Sequence, residues 1–309
     1  MFRFAATFCV VFLGLASLSS DSRPLLPDRV PAPDGTVALS VEPLALALPD
    51  GPIRLSGAWQ LSAPDKRFAG LSALAIGPNG LVAVSDSGTV AEFVRPGGAR
   101  AVRLRDLGGG PGFATYKKYR DSEAVILSRD GSRYSLTAAF EFVHSLWFFD
   151  DSLAVRKSVP IPSRDWRDNR GIEAMVRGPG GSGLLLIPES GNLVIRFSNG
   201  RFRGVPLVGA TGGIADAVQL ADGRVVVAVR ELTPLGIVNR LAWLGRTDAG
   251  YRLRPFSRLR LGPFDNIEGL AAEPLPGGTT RLWAVSDNDG WRRTLLLAIE
   301  LPAGRDPKP

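Results

Sequence analysis

The sequence predicts an all-β protein, a β-propeller of four-stranded blades, on three observations. A strand-and-acid unit recurs five times, glycine-rich tight turns fall at matching places inside the units, and no segment sustains a helical period. Each unit opens on a short apolar strand carrying a polar or acidic residue. One turn later a second strand ends in an acid.

The elements follow in chain order. Residues 4–18 form an apolar run behind Arg3, with small residues at Ser17 and Ser19, so residues 1–19 read as an export signal. Cys9 lies in that run without a lipobox context. Residues 20–50 read as an N-terminal extension, 51–303 as a single propeller domain and 304–309 as a tail. A strand near 53–61 precedes the first unit. The openings are Gly70-Leu71-Ser72-Ala73-Leu74, Asp121-Ser122-Glu123-Ala124-Val125, Gly171-Ile172-Glu173-Ala174-Met175, Ile214-Ala215-Asp216-Ala217-Val218 and Ile267-Glu268-Gly269-Leu270-Ala271. The closings end at Asp86, Glu141, Glu189, Glu231 and Asp287.

Taking Ser72, Glu123, Glu173, Asp216 and Glu268 as equivalents gives intervals of 51, 50, 43 and 52 residues, the length of a four-stranded blade. Turns at Gly77-Pro78-Asn79-Gly80, Arg129-Asp130-Gly131-Ser132, Ala221-Asp222-Gly223 and Pro276-Gly277-Gly278 separate the first and second strands. The third unit shows all four strands, at 172–177, 184–188, 192–197 and 201–208. The fifth stops after its third strand, at 294–301, so the strand near 53–61 is expected to complete it and close the ring. The count is five blades. Six is the alternative, because residues 36–48 could add strands.

Composition narrows the chemistry. Hydrophobic content of 45% and charged content of 22% are ordinary for a globular protein, and Gly 36 and Pro 24 suit many tight turns. Cys9 is the only cysteine and His144 the only histidine, which excludes disulfides, cysteine-based zinc sites, His-rich metal sites and a histidine nucleophile. The net charge of +7 is spread through the chain with no nucleic-acid motif, so no nucleic-acid partner is expected. An anionic small molecule or an anionic envelope surface accounts for the charge. The expected state is a periplasmic or secreted monomer, with no stable membrane insertion once the signal is removed.

Propeller topology puts the start of each first strand and the end of each second at one face. Ser72, Glu123, Glu173, Asp216 and Glu268 should ring the channel mouth, with Asp86, Glu141, Glu189, Glu231 and Asp287 just outside. So many carboxylates repel unless a cation, basic side chains or protons relieve them. Hard cations such as Ca²⁺ are the natural guests of carboxylate oxygens. The candidate metal ligands are Glu123, Glu173, Asp216, Glu268, Asp86, Glu189, Glu231 and Asp287, and the candidate catalytic groups Glu123, Glu173 and Glu268. Basic residues adjoin them at Lys117, Lys118, Arg120, Arg164, Arg167, Arg170, Arg230, Arg240, Arg292 and Arg293, and Lys118, Arg120, Arg170 and Arg293 are the candidate anion binders. Aromatics interleave at Phe113, Tyr116, Tyr119, Trp166, Phe264 and Trp291. Structural bonding between blades would explain the acids without any ligand. His144 follows Glu141 as a weaker acid–base candidate. No Gly-x-Ser-x-Gly elbow, P-loop or dinucleotide fingerprint is present, so no nucleotide or organic cofactor is expected.

Asp265-Asn266-Ile267-Glu268-Gly269-Leu270, Val285-Ser286-Asp287-Asn288-Asp289 and Arg293-Thr294-Leu295-Leu296-Leu297 resemble the end of the bacterial phytase-like domain family. Asn169-Arg170-Gly171-Ile172-Glu173-Ala174 and Asp121-Ser122-Glu123-Ala124 resemble its internal blades. The resemblance runs from about residue 70 to residue 301. It implies an exported protein with esterase-like activity of the phytase type, akin to calcium-dependent β-propeller phytases that cleave phosphomonoesters with an activated water. The Asp-Asp-Pro-Ala-type motif of those enzymes has no counterpart here, and only Glu123, Glu173, Glu268 and Asp287 sit in matching motifs. The expected function is metal-dependent hydrolysis of phosphoesters or related anionic esters. A non-catalytic ligand- or protein-binding propeller is the alternative, and a lactonase-like propeller a more distant one.

Overall fold

The computed structural model describes residues 27–47, 51–162, 170–288 and 292–303. The expected signal, the tail 304–309 and Arg164, Trp166, Arg167 and Trp291 lie outside the described residues. The described part holds twenty-two strands and three short 3₁₀ turns, so the protein is all-β.

The chain opens with β1 (Gly35–Ala38), β2 (Ser40–Pro43) and β3 (Arg54–Ser62). The first unit is β4 (Leu71–Ile76), β5 (Leu81–Ser85), β6 (Thr89–Phe93) and β7 (Ala101–Asp106). The second is β8 (Ser122–Asp130), β9 (Arg133–Phe140), β10 (Ser145–Phe149) and β11 (Val155–Pro160). The third is β12 (Ile172–Arg177), β13 (Leu184–Pro188), β14 (Leu193–Ser198) and β15 (Arg201–Val208). The fourth is β16 (Gly213–Gln219), β17 (Val225–Thr233), β18 (Gly236–Thr247) and β19 (Gly250–Leu259). The last is β20 (Asn266–Pro274), β21 (Thr280–Asp287) and β22 (Thr294–Leu301).

Each unit is an antiparallel meander, because short loops of two to seven residues join only antiparallel neighbours. The Asn199-Gly200 turn shows the local chemistry. Both residues take left-handed backbone angles, φ 50° and 73°, and Ser198 pairs directly with Arg201, which is the two-residue hairpin that Asn-Gly favours. β17 begins Val225-Val226-Val227-Ala228-Val229 with no alternation, since a strand covered on both faces has no reason to alternate.

The strands form four sheets. β3 lies antiparallel beside β22, with Ala58 opposite Leu297, and so joins β20 and β21 in one sheet. Residues 35–43 supply β1 to the outer edge of β7 and β2 to the outer edge of β3. The third and fourth units share one sheet, because β15 and β19 meet in parallel at Leu207 and Tyr251. That outer seam has no signal in the repeat itself.

The core lies between units. One apolar cluster joins the first unit to the second through Val84 and Leu136, another the second to the third through Ala139 and Ile172. A third joins the third unit to the fourth through Ile187 and Val227, and a fourth joins the fourth to the last through Leu241 and Ala284. A fifth, through Trp283 and Leu104, returns from the last unit to the first. The opening strands β4, β8, β12, β16 and β20 pack on one another in the same cyclic order, the arrangement of a β-propeller. They surround a hollow of about 240 Å³ lined by three residues from each, Leu74, Val125, Met175, Ala217 and Leu270 being the first of each three.

Candidate functional site

A β-bulge interrupts every opening strand at its start. The pairing skips one residue between Leu71 and Ala73, Ser122 and Ala124, Ile172 and Ala174, Ile214 and Asp216, and Ile267 and Gly269. The extra residue is left out of the ladder and its side chain is re-aimed. Those residues are Ser72, Glu123, Glu173, Ala215 and Glu268. The cavity lining agrees, since its first residue in each strand stands two places after the bulge in all five.

The fourth unit therefore sits one residue away from the expected alignment. Ala215, not Asp216, is equivalent to Glu123 and Glu173. The closing position shifts with it: Arg230 pairs with Gly213 as Asp287 pairs with Asn266, while Glu231 lies one step further on. A one-residue slip moves every side chain to the other face of a strand. Asp216 consequently accepts hydrogen bonds from its neighbour Ala217 N at 2.7 Å and from Leu270 N at 2.6 Å on β20, a tie between units. Burial raises its pKa well above the carboxylate range, against the pull of those two bonds. Glu231 pairs with Arg240 at 3.2 Å and takes no part in the pairs made by Arg230.

The outer set thus reads Asp86, Glu141, Glu189, Arg230 and Asp287. Arg230 sits among the acids of the two neighbouring units. It pairs with Glu268, reaches Glu189 at 3.2 Å and approaches Glu173 at 3.9 Å. Asn266 also donates to Glu268, at 2.6 Å. Burial works against the guanidinium charge, but Glu268, Glu173 and Glu189 outweigh it and raise the pKa. Burial raises the pKa of Glu173 well above the ordinary value although Arg230 lowers it.

The second unit is arranged differently. One carboxylate oxygen each of Asp121, Glu123 and Glu141 lie within 4.8 Å of one another. Oxygens bonded at about 2.4 Å to one hard cation span that distance. No arginine fork pairs with any of the three in a direct salt bridge among the described residues. Burial raises Asp121, while Glu123 and Lys117 lower it. Glu123 is driven well above its ordinary range by burial and by the charges of Asp121, Glu173 and Glu268. Glu141 is pushed up to about 7, by burial first and then by Asp121, although Gly171 N donates to it at 3.0 Å. Lys117 stands beside this group on a 3₁₀ turn (Lys117–Tyr119) and pairs with Asp86. Burial disfavours its charge, but Asp86, Asp121 and Glu123 hold it as an ammonium.

The remaining expected residues are placed variously. Lys118 lies over the rings of Tyr119 and Phe142, at 5.0 and 4.4 Å. Arg120 is buried, donating to the carbonyls of Pro111 and Tyr119 at 2.7 and 2.9 Å, and braces the loop before β8. Arg293 forms a fork on Asp265 at 3.0 and 2.6 Å, fixing the loop before β20. Arg170 is exposed at the rim, 3.6 Å from Glu189. Ser72 donates to the carbonyl of Ser122 at 2.6 Å, linking the first two units. Asp287 is buried at the end of β21. His144 ends the turn that begins at Glu141, its N–H on the Glu141 carbonyl at 3.1 Å. Asp121, Glu141 and Lys117 were not among the expected ligands or anion binders. The run Asp121-Ser122-Glu123 carried the signal for Asp121, since the matching positions are Gly70, Gly171 and Gly213.

No curated protein matches the chain. Among solved structures it is similar to a putative 6-phosphogluconolactonase from Bacteroides uniformis, at 16% identity over 77% of this chain and 75% of that one, TM-score 0.40. It is also similar to the WD40 repeats of RRP9, at 10% identity over 81% and 99%, TM-score 0.39. A third similar structure is the Dos1 propeller, at 9% identity over 78% and 73%, TM-score 0.39. A family model described as phytase-like, with the esterase-like activity of phytase, matches residues 66–290. That span holds all five bulges and both acidic groups, and the chain belongs to the phytase-like family.

Proposed function

We propose that the chain is an exported, monomeric five-bladed propeller, closed by β3 against β22, that hydrolyses phosphoesters or related anionic esters with a divalent cation such as Ca²⁺. The observation that carries this reading is the convergence of Asp121, Glu123 and Glu141 at the mouth, with Lys117 beside them. Arg230 is shared by Glu173, Glu189 and Glu268, whereas no arginine pairs with Asp121, Glu123 or Glu141 among the described residues, so the second unit's carboxylates are the ones left for a cation. A hard cation held there supplies Lewis-acid polarisation of an ester oxygen. Lys117 orients the anionic group of the substrate, and the exposed Arg170 meets a more distant anionic group at the rim. Glu173, whose proton affinity burial raises while Arg230 lowers it, is the candidate for proton exchange at the reacting water.

Two measurements on one preparation test the reading. Added Ca²⁺ should raise the melting temperature and support turnover of a phosphomonoester such as p-nitrophenyl phosphate. Chelator should reverse both, and Glu123→Gln should lose both. Absence of a Ca²⁺ effect, with no turnover across phosphoesters and carboxylesters, rejects it in favour of a non-catalytic binding propeller. The self-contained ion cluster around Arg230 favours that second reading, because it satisfies three acids with no ligand.

A further inference from the structure

Large apolar side chains are exposed mainly at one end of the molecule. Leu235 is 89% exposed, Leu232 80%, Phe113 72% and Phe264 57%. Leu232 and Leu235 lie at the β17–β18 hairpin, Phe113 between β7 and β8, and Phe264 between β19 and β20. All three connections leave the end of the molecule that carries the acidic mouth.

The hairpin is built to hold its apolar tip outward. Thr233 pairs with Gly236, so Pro234 and Leu235 are the two turn residues, where polar residues and glycine are usual. Thr233 Oγ1 donates to the Gly236 carbonyl at 2.8 Å and accepts from Leu235 N at 3.3 Å. Ile237 N donates to the Pro263 carbonyl at 2.8 Å, tying the tip to the loop that carries Phe264. Arg240 and the exposed Arg258 line the hollow beneath Leu235 and Pro263. Across the mouth, Phe113, Tyr116, Tyr119 and Phe142 form a ladder of edge-on rings with centroids 6.4, 6.1 and 5.8 Å apart, and Lys118 rests on its last two members.

We propose that this face docks peripherally on an anionic lipid surface. Leu232, Leu235, Phe264 and Phe113 enter the headgroup region, and the exposed Arg258 meets the anionic headgroups while Arg240 stays paired with Glu231. Apolar side chains on separate loops, rather than in one continuous patch, suit a fluid medium that closes around each of them. Interleaved arginine, lysine and aromatic rings suit the polar boundary of such a medium, and a net charge of +7 adds long-range attraction. Docking is independent of hydrolysis, and each can fail alone.

The test is co-sedimentation of the full chain with vesicles of phosphatidylcholine alone and of phosphatidylcholine mixed with phosphatidylglycerol. Binding is expected to the mixed vesicles only and to weaken with salt. Leu232→Ser with Leu235→Ser should weaken it by about tenfold, and Arg258→Gln should weaken it further. Both leucines protrude into solvent, so an unchanged melting temperature is expected of the pair. Leu235→Trp gives a direct reading, its emission shifting to the blue with mixed vesicles. Equal binding of wild type and double variant overturns the proposal, because the hairpin tip would then carry none of the contact. So does no binding at all, or self-association without lipid that the same substitutions abolish.

Discussion

Arg230 occupies a position where the other four units place an acid, and its surroundings explain why a cation is held there. Glu173, Glu189 and Glu268 come from the two neighbouring units, and all face the one guanidinium. Removing it leaves three carboxylates, two of them buried, without their common partner. Arg230→Met is expected to cost about 3 kcal/mol or more of stability at neutral pH, the usual result of stranding partly buried charge. Arg230→Lys should recover only part, since one ammonium cannot reproduce the fork. The pH dependence has a definite sign. The folded-state pKa of Glu173 is already raised by burial, and losing Arg230 raises it further. A group of this kind favours folding when protonated, so its contribution is present at low pH and lost as pH rises through the folded pKa. The deficit of Arg230→Met should therefore shrink on going from about pH 8 to about pH 5 in urea unfolding. A deficit independent of pH would mean that Arg230 acts through packing alone.

At the scale of the strand, the bulge and the residue after it decide how the ring packs. The position after the bulge holds Ala73, Ala124, Ala174, Asp216 and Gly269, small in every unit but one. Gly269 shows why. A Cβ there would lie 2.9 Å from the backbone of Ala73 and Leu74 on β4, and 2.7 Å from Val285. Gly269→Ala should therefore force β20 away from β4 and cost about 1–3 kcal/mol, read as a lower urea midpoint with an unchanged slope. An unchanged midpoint would show that the strands part freely. The strands and turns were legible in the sequence because short apolar runs and glycine-rich turns act locally. The register of the fourth unit was not. Ala215-Asp216 and Arg230-Glu231 each offer an acid one place beyond the matching position, and a bulge inserts a residue that spacing alone does not reveal. The site was legible in part for the same reason. Glu123, Glu173 and Glu268 stand out because they repeat, whereas Asp121 is hidden because its counterparts are mostly glycine. Lys117 and Lys118 are adjacent in sequence, and only the 3₁₀ turn decides which one meets the acids.

Over the whole molecule, β3 and β22, strands from distant parts of the chain, lie side by side in the last sheet. β3 runs along β22 from Leu61 opposite Thr294 to Arg54 opposite Glu300. It also delivers Leu61 to the cluster between the last and first units, and Ala58 to the cluster between the fourth and last. Two of the five interfaces therefore depend on a strand more than two hundred residues from its partner. Contacts of such separation form late, because loop closure must precede them. A chain lacking residues 1–62 would expose the full edge of β22, an open template for pairing with another molecule. The intact protein is expected to melt in one sharp transition, and such a chain to melt broadly and to sediment as aggregates. Disruption should centre on β20–β22, so amide exchange there should rise more than in β12–β14, which touch neither β3 nor its two clusters. If the shortened chain melts sharply as a monomer with β22 still protected, β3 covers the sheet without completing it.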